Sequence, residues 1–218
     1  MKPPYQITDN ILQLITSISE KIGAINATHL YKPPTELRKR NRIKTIQSSL
    51  EIEGNTLSEE QITALLENKR VLGPQKDILE VQNAITVYEQ LHDFNPNDLK
   101  DLEKAHKILM QGLIENAGML RTKNVGIVKG AKVAQVAPSG DLVRGLMKNL
   151  FNYLKNDADI ILIKSCVFHY EFEFIHPFLD GNGRMGRLWQ TLILMQQYPV
   201  FEFLPVESLI KENQQHYY

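Results

Sequence analysis

Apolar residues recur at helical spacing through most of this chain, and only one short stretch alternates in the manner of a strand. Residues 7–30 set Ile7, Ile11, Leu14, Ile15, Ile18 and Ile22 on one stripe, which predicts an N-terminal helix packed on the main domain. Pro33 and Pro34 interrupt it. Thr35 and Glu36 then open a second helix, whose apolar face includes Leu37, Ile46 and Leu50 and which ends near Gly54. Further helices are predicted from Ser58 to Val71, begun by a Ser58–Gln61 capping box, from Asp77 to His92 and from Asn97 to Glu115. Another runs from Ser139 to Asn156 with Leu142, Leu146, Leu150 and Leu154 inward. Val125 to Val136 carries β-branched residues on both sides of Lys129-Gly130-Ala131 and predicts a hairpin, for which plain packing is the simplest role. Ile160 to Ile175 is apolar on more than one face, as a central buried helix would be, and Leu188 to Met195 forms a second apolar run. A last helix from Ser208 stops at Tyr217-Tyr218 without a capping signal, so the natural chain is expected to continue.

This pattern predicts an all-α domain of about eight helices with one short β-hairpin. It divides into an N-terminal helical extension (1–34), a helix preceding the core (35–57) and the core itself (58–218).

Composition narrows the function classes. Lys plus Arg and Asp plus Glu balance at 25 each among 218 residues, so no global field recruits nucleic acid or an anionic membrane. Arg38, Lys39, Arg40, Arg42 and Lys44 crowd the start of the second helix, where a solvated face is the plain reading. The lone cysteine, Cys166, rules out an internal disulfide and reads as a small core residue. No apolar run reaches the roughly 20 residues that span a bilayer, and Met1 to Tyr5 opens no signal segment, so a cytoplasmic protein is expected. His92 and His106 have no Cys or His at metal-ligand spacing and read as solvent-facing or structural.

The chemistry concentrates between the two apolar runs, in His176-Pro177-Phe178-Leu179-Asp180-Gly181-Asn182-Gly183-Arg184-Met185-Gly186-Arg187. Pro177 should hold His176 extended, and Gly181 and Gly183 allow turns that side chains would not. A helix then begins near Gly183 or Arg184, and its first N–H groups offer an anion cradle. Arg184 and Arg187 share one face at that positive end, where the dipole disfavours both. A polyphosphate would resolve the conflict through bidentate hydrogen bonds. Asp180 can carry Mg²⁺ on phosphate oxygens, and His176 is a base of near-neutral pKa. These parts suit phosphoryl or nucleotidyl transfer. Zinc held by His169, His176 and Asp180 fits less well, because nothing completes a tetrahedral set.

The loop resembles the motif H-x-F-x-D/E-G-N-G-R-x-x-R of the Fic (filamentation induced by cAMP) domain family, with every fixed position filled, and the resemblance extends from about Thr35 to Tyr218. Ser49-Leu50-Glu51-Ile52-Glu53-Gly54 resembles that family's inhibitory motif S/T-x-x-x-E-G/N, borne on a helix N-terminal to the core. The resemblance implies a protein adenylyltransferase that moves AMP from ATP, with Mg²⁺, onto a Tyr, Thr or Ser hydroxyl of a target protein, its own included; a homodimer stays open. It implies His176 as the base, Phe178 as the anchor of the nucleotide-binding loop and Asp180 as the Mg²⁺ ligand. Gly181, Asn182, Gly183 and Arg184 would stabilise phosphate charge, and Arg187 would hold the γ-phosphate. Ser49 and Glu53 would inhibit, because Glu53 at a negative helix end and Arg187 at a positive one can satisfy each other. The hairpin would be a flap that aligns a target segment by strand addition. Removal of AMP by a Glu53-positioned water, and ATP sensing without transfer, remain as alternatives.

Overall fold

A computed structural model describes residues 2–27, 34–129 and 132–214, and of 127–129 and 132–136 the backbone alone. The sequence expectations at Pro33, at Gly130-Ala131 and at Tyr217-Tyr218 lie outside the described residues. Among those described are nine α-helices: α1 (Asp9–Ala27), α2 (Thr35–Ile52), α3 (Glu59–Leu66), α4 (Gln75–Glu89), α5 (Leu99–Leu109), α6 (Val143–Asn156), α7 (Ile161–Ile175), α8 (Asn182–Met195) and α9 (Val206–Glu212). Short 3₁₀ turns cover Leu91–Asp93 and Pro199–Phe203. The all-α expectation holds.

Helices α7 and α8 pack against each other and form the centre. Phe168 and Phe172 from α7, Trp189 from α8 and Phe178 from the loop between them are fully buried. Phe151 of α6 meets Phe168 edge-on with ring centroids 5.3 Å apart. Each such side chain contributes roughly 1.5–3 kcal/mol through apolar burial, so the loop between the helices is fastened from both sides. Trp189 also donates Nε1–H to Pro96 O at 3.0 Å, which satisfies its one polar atom.

Helix α2 lies against α4, α8 and α9 and buries Ile43, Ile46 and Leu50 together with Thr45, Ser48 and Ser49. It ends as expected, with Gly54 at φ +92. Of its basic run, Lys39 pairs with Glu67 at 2.8 Å and Arg42 with Glu202 at 3.1 Å. The Ser58–Gln61 capping box opens α3.

Four expectations need correction. The N-terminal apolar stripe is mostly open: Ile7, Leu14 and Ile18 are exposed, and Ile22 alone in α1 is buried. The chain before it is held instead by Tyr5 Oη against Tyr153 Oη at 3.0 Å and by Lys2 against Asp159 at 2.7 Å. Leu142 is exposed because α6 starts at Val143, four residues after the expected Ser139, and Val143 and Met147 take the inward positions. Cys166 is exposed. It shares the outer side of α7 with Tyr170 and Phe174, so that helix is apolar all round without being buried all round. Helix α5 ends at Leu109, and the chain then turns through Gly112 at φ +73 and Gly118 at φ +82 rather than continuing to Glu115.

Strands β1 (Gly126–Lys129) and β2 (Lys132–Val136) pair antiparallel, with a register shift between Ile127 and Val128. The hairpin's two roots are stitched together, since Asn124 Oδ1 accepts from Gly140 N at 2.9 Å. A Cβ on Gly140 would stand 2.1 Å from Thr122 O, so only glycine allows this approach.

Candidate active site

The loop leaves α7 through His176, which adopts the left-handed conformation at φ 50 and ψ 61 rather than an extended one. Pro177 disfavours the right-handed α region at the residue before it, which ends the helix there. The remaining choice was decided by the helix end: His176 N–H still donates to Phe172 O at 2.9 Å, as a left-handed capping residue does. For a non-glycine residue this conformation costs roughly 1–2 kcal/mol. Arg121 offsets it. The guanidinium donates from Nε to His176 O at 2.7 Å and from Nη2 to Ile175 O at 2.9 Å, while Arg121 N donates to Pro177 O at 2.8 Å.

The centre of the loop closes on itself. Asn182 accepts from Phe178 N and donates to Phe178 O, both at 2.9 Å, so its side-chain amide is used as a latch and only its backbone N–H is left for an anion. Phe178 is fully buried and lies flat on the His106 ring, 3.6 Å between centroids with planes 4° apart. His106 Nδ1 accepts from Gly118 N at 2.8 Å, so the ring proton resides on Nε2, which donates to Asp180 O at 2.9 Å. Burial pushes the His106 pKa down to about 4, and the ring is a neutral strut. Gly181, at φ +78, starts α8 where a Cβ would stand 2.7 Å from Met110 Sδ.

Both arginines of the motif are buried and occupied. Arg184 donates to Glu80 at 3.0 Å from Nη1 and to Asp180 Oδ1 at 3.2 Å from Nη2, and Asn55 completes Glu80 at 2.9 Å. Arg187 donates to Ser49 Oγ at 3.1 Å, to Ser49 O at 2.9 Å and to Glu53 Oε1 at 2.8 Å. Its side chain is 1% exposed, whereas that of Glu53 is 30% exposed, so the pair has a buried cation and a carboxylate open to solvent on one side. Gly183 is helical and makes no unusual turn. Its role is space: a Cβ there would stand 2.5 Å from Glu53 Oε1.

His176 lies among Glu53, Asp180, Arg121 and the Glu173 carbonyl. Burial lowers its pKa, the Arg121 charge acts in the same sense, and the carbonyl and the two carboxylates oppose them. The ring is therefore neutral at neutral pH, as a base must be. Glu173, one turn earlier on α7, has its pKa pushed up to about 7 by burial, and its Oε1 has no partner.

A Mg²⁺ ion fits the donor set. The Asp180 carboxylate is half exposed and spends Oδ1 on Gly181 N at 2.6 Å and on Arg184. No cluster of three metal-binding side chains occurs among the described residues. A single carboxylate completed by water and substrate phosphate oxygens is how Mg²⁺ is commonly held.

The structure thus gathers His176, Phe178, Asp180, Gly181, Asn182, Gly183, Arg184, Arg187, Ser49 and Glu53 around the start of α8. The sequence reading left out Arg121 and Glu80, and took His106 as solvent-facing or structural without placing it at the loop; it is the structural one. Arg121 and His106 bind backbone carbonyls, which leave no pattern in a sequence; Glu80 could have been suspected as an acidic residue on the apolar face of α4.

The Fic/DOC family profile matches residues 96–194. A crystal structure of a Fic family protein from Desulfovibrio desulfuricans G20 superposes on the whole chain with a TM-score of 0.95 and 47% identity, and 67% of that protein is covered. A Fic domain containing signaling protein from Bacteroides thetaiotaomicron shares the fold, with a TM-score of 0.70 over 89% of this chain and 79% of that one, at 20% identity. Protein adenylyltransferase fic-1 of Caenorhabditis briggsae is 30% identical over 75% of this chain, and protein adenylyltransferase Fic of Nematostella vectensis 29% over 88%. The chain spans 34% and 46% of the length of these two relatives.

Proposed function

The chain belongs to the Fic family, and from that premise we propose that it is a protein adenylyltransferase, transferring AMP from ATP to a hydroxyl side chain of a protein, and that Glu53 holds it inhibited. The observation that carries this reading is the state of Arg187, a buried cation at the positive end of α8 whose charged partner is a carboxylate from another helix. Such an arrangement is costly unless an anion belongs there, and the carboxylate stands in for a phosphate.

In this reading the triphosphate lies along the N-terminus of α8. The backbone N–H groups of Asn182 and Gly183 face the phosphates, joined by that of Gly181 once released from Asp180 Oδ1, and Arg187, freed from Glu53, binds the γ-phosphate. Asp180 would hold Mg²⁺, which neutralises charge on the α- and β-phosphates and so eases departure of pyrophosphate. His176 takes the proton of the target hydroxyl as its oxygen bonds to the α-phosphorus and the bond to pyrophosphate breaks. Arg184, already bound to Glu80 and Asp180, orients the Asp180 carboxylate and adds positive charge beneath the loop. Target hydroxyls of Tyr, Thr or Ser, the chain's own among them, are the groups from which such a base would take a proton.

The test is labelling with radioactive ATP and Mg²⁺, alone and with host lysate, for the wild type, Glu53→Gly and Glu53→Gly/His176→Ala. Protein-bound label should rise tenfold or more in the first variant and vanish in the second. Transfer in the absence of His176, or none by Glu53→Gly under any of these conditions, would refute the reading. Loss of label from a pre-labelled protein that requires Glu53 would favour the hydrolytic direction.

A further inference from the structure

The residue that gathers the most backbone around the loop has no part in the chemistry above. Arg121 is 3% exposed, and four of its five guanidinium N–H groups end on carbonyl oxygens. His176 O at 2.7 Å and Ile175 O at 2.9 Å belong to the end of α7. Lys123 O at 2.7 Å and Pro138 O at 2.8 Å belong to the two roots of the hairpin. A buried guanidinium is ordinarily met by a carboxylate, because that neutralises it as well as filling its hydrogen bonds. Here no carboxylate of the described residues pairs with it. The choice of neutral acceptors has a geometric use: a planar fork reaches four carbonyls from three chain segments at once, which neither lysine nor a carboxylate pair can do. It also has an electrostatic one, since the unneutralised charge is left beside His176.

We propose that Arg121 is a positioning residue for the transfer reaction, which locks His176 in its left-handed conformation and ties the base and both roots of the hairpin into one rigid unit. This deepens the reading above and rests on it. A target strand lying on the hairpin would then be registered against the base through a single fastener, so that the hydroxyl meets His176 at bonding distance. A misplacement of about 1 Å in such a geometry can cost on the order of a hundredfold in rate while leaving ground-state binding nearly unchanged. The groups whose charge or hydrogen bonding acts on the His176 ring are Arg121, the Glu173 carbonyl, Glu53 and Asp180. Arg121 is the one cation among them and opposes the two carboxylates.

The experiment uses the Glu53→Gly chain as parent, with Arg121→Lys and Arg121→Gln introduced into it. The first-order rate of self-labelling or lysate labelling at saturating radioactive ATP is read beside the ATP concentration for half-maximal rate, with melting temperatures taken in parallel. Arg121→Lys keeps the charge and loses the fork. The proposal expects its maximal rate to fall tenfold or more with half-saturation by ATP changed by less than about twofold. Should Arg121→Gln not fold, Arg121→Lys decides. An unchanged maximal rate in folded Arg121→Lys, a parallel loss of rate and ATP affinity, or failure of both variants to fold would make Arg121 an ordinary helix cap and overturn the proposal. A parent that labels nothing would be the failure of the transfer reading instead, and is recognised by its occurring with Arg121 intact.

Discussion

At the scale of single residues, the site separates groups that hold the loop from groups left free to react. Phe178, His106, Asn182 and Arg184 are buried and held by their neighbours, whereas the Asp180 carboxylate is 53% exposed and depends on no core packing. Asp180→Ala should therefore abolish Mg²⁺-dependent labelling and leave the melting temperature of the ligand-free chain within a few degrees, since Arg184 keeps Glu80. A large fall in melting temperature would show that the carboxylate is structural. His106→Leu should do the opposite and destabilise by about 2–4 kcal/mol, because Gly118 N and Asp180 O lose their partners in a buried place. Thermal unfolding of the two variants side by side decides both. The free groups were legible because their chemistry is carried by side chains at fixed spacing. Two of the holding contacts were not: His106 sits at an ordinary core position of α5, and the αL conformation of His176 depends on Arg121, which is remote in sequence.

At the scale of elements, periodicity located the helices well and their exposure poorly. The stripe on α1 and the outer side of α7 are apolar yet open, because periodicity records that a face is apolar and not that anything covers it. Helix α2 shows the reverse. Its basic start hides an inner face of small polar residues, Thr45, Ser48 and Ser49, and Ser49 is what the Arg187 guanidinium needs on its way to Glu53. Two helix ends of opposite polarity meet there, each carrying the charge its own dipole disfavours, so the pair gains more from meeting than either helix end does from solvent. In the proposed inhibited state, each 1.4 kcal/mol or so of that preference would lower the ATP-competent population about tenfold. Glu53→Gly should accordingly raise ATP affinity and labelling by one or more orders of magnitude. Arg187→Ala should lose the γ-phosphate contact and not be rescued by Glu53→Gly, because the two changes act on the same bond. Additive effects in titration calorimetry with ATP would rule out the shared site.

For the molecule as a whole, four deeply buried titratable groups pull stability in two directions as pH changes. Burial raises Glu173 and Glu207 to about 7 and lowers His106 and His169 to about 4, so all four favour the neutral form in the folded chain. For the carboxyls the folded pKa exceeds the unfolded one; their contribution is complete below about 4.5 and is lost as pH rises through about 7. For the imidazoles the folded pKa lies below the unfolded one; theirs is complete above about 6.5 and is lost as pH falls towards about 4. The two trends oppose each other across the interval they share, which leaves stability nearly level there and falling on either side. Glu207 is the simplest group with which to separate them. It is 1% exposed on α9, beside Tyr88 and within the field of Arg187, and takes no part in the proposed chemistry. Glu207→Gln keeps the shape and removes the proton equilibrium. Relative to wild type, it should gain stability between pH 5 and pH 8 by up to roughly 3 kcal/mol, the span from about 4.5 to about 7 at 1.36 kcal/mol per pKa unit. At about 2–4 °C per kcal/mol for a chain of this size, that is a difference in melting temperature readily measured by calorimetry at the two pH values. An offset between the two proteins that is the same at pH 5 and pH 8 would mean that Glu207 keeps its charge in the fold, held there by Arg187.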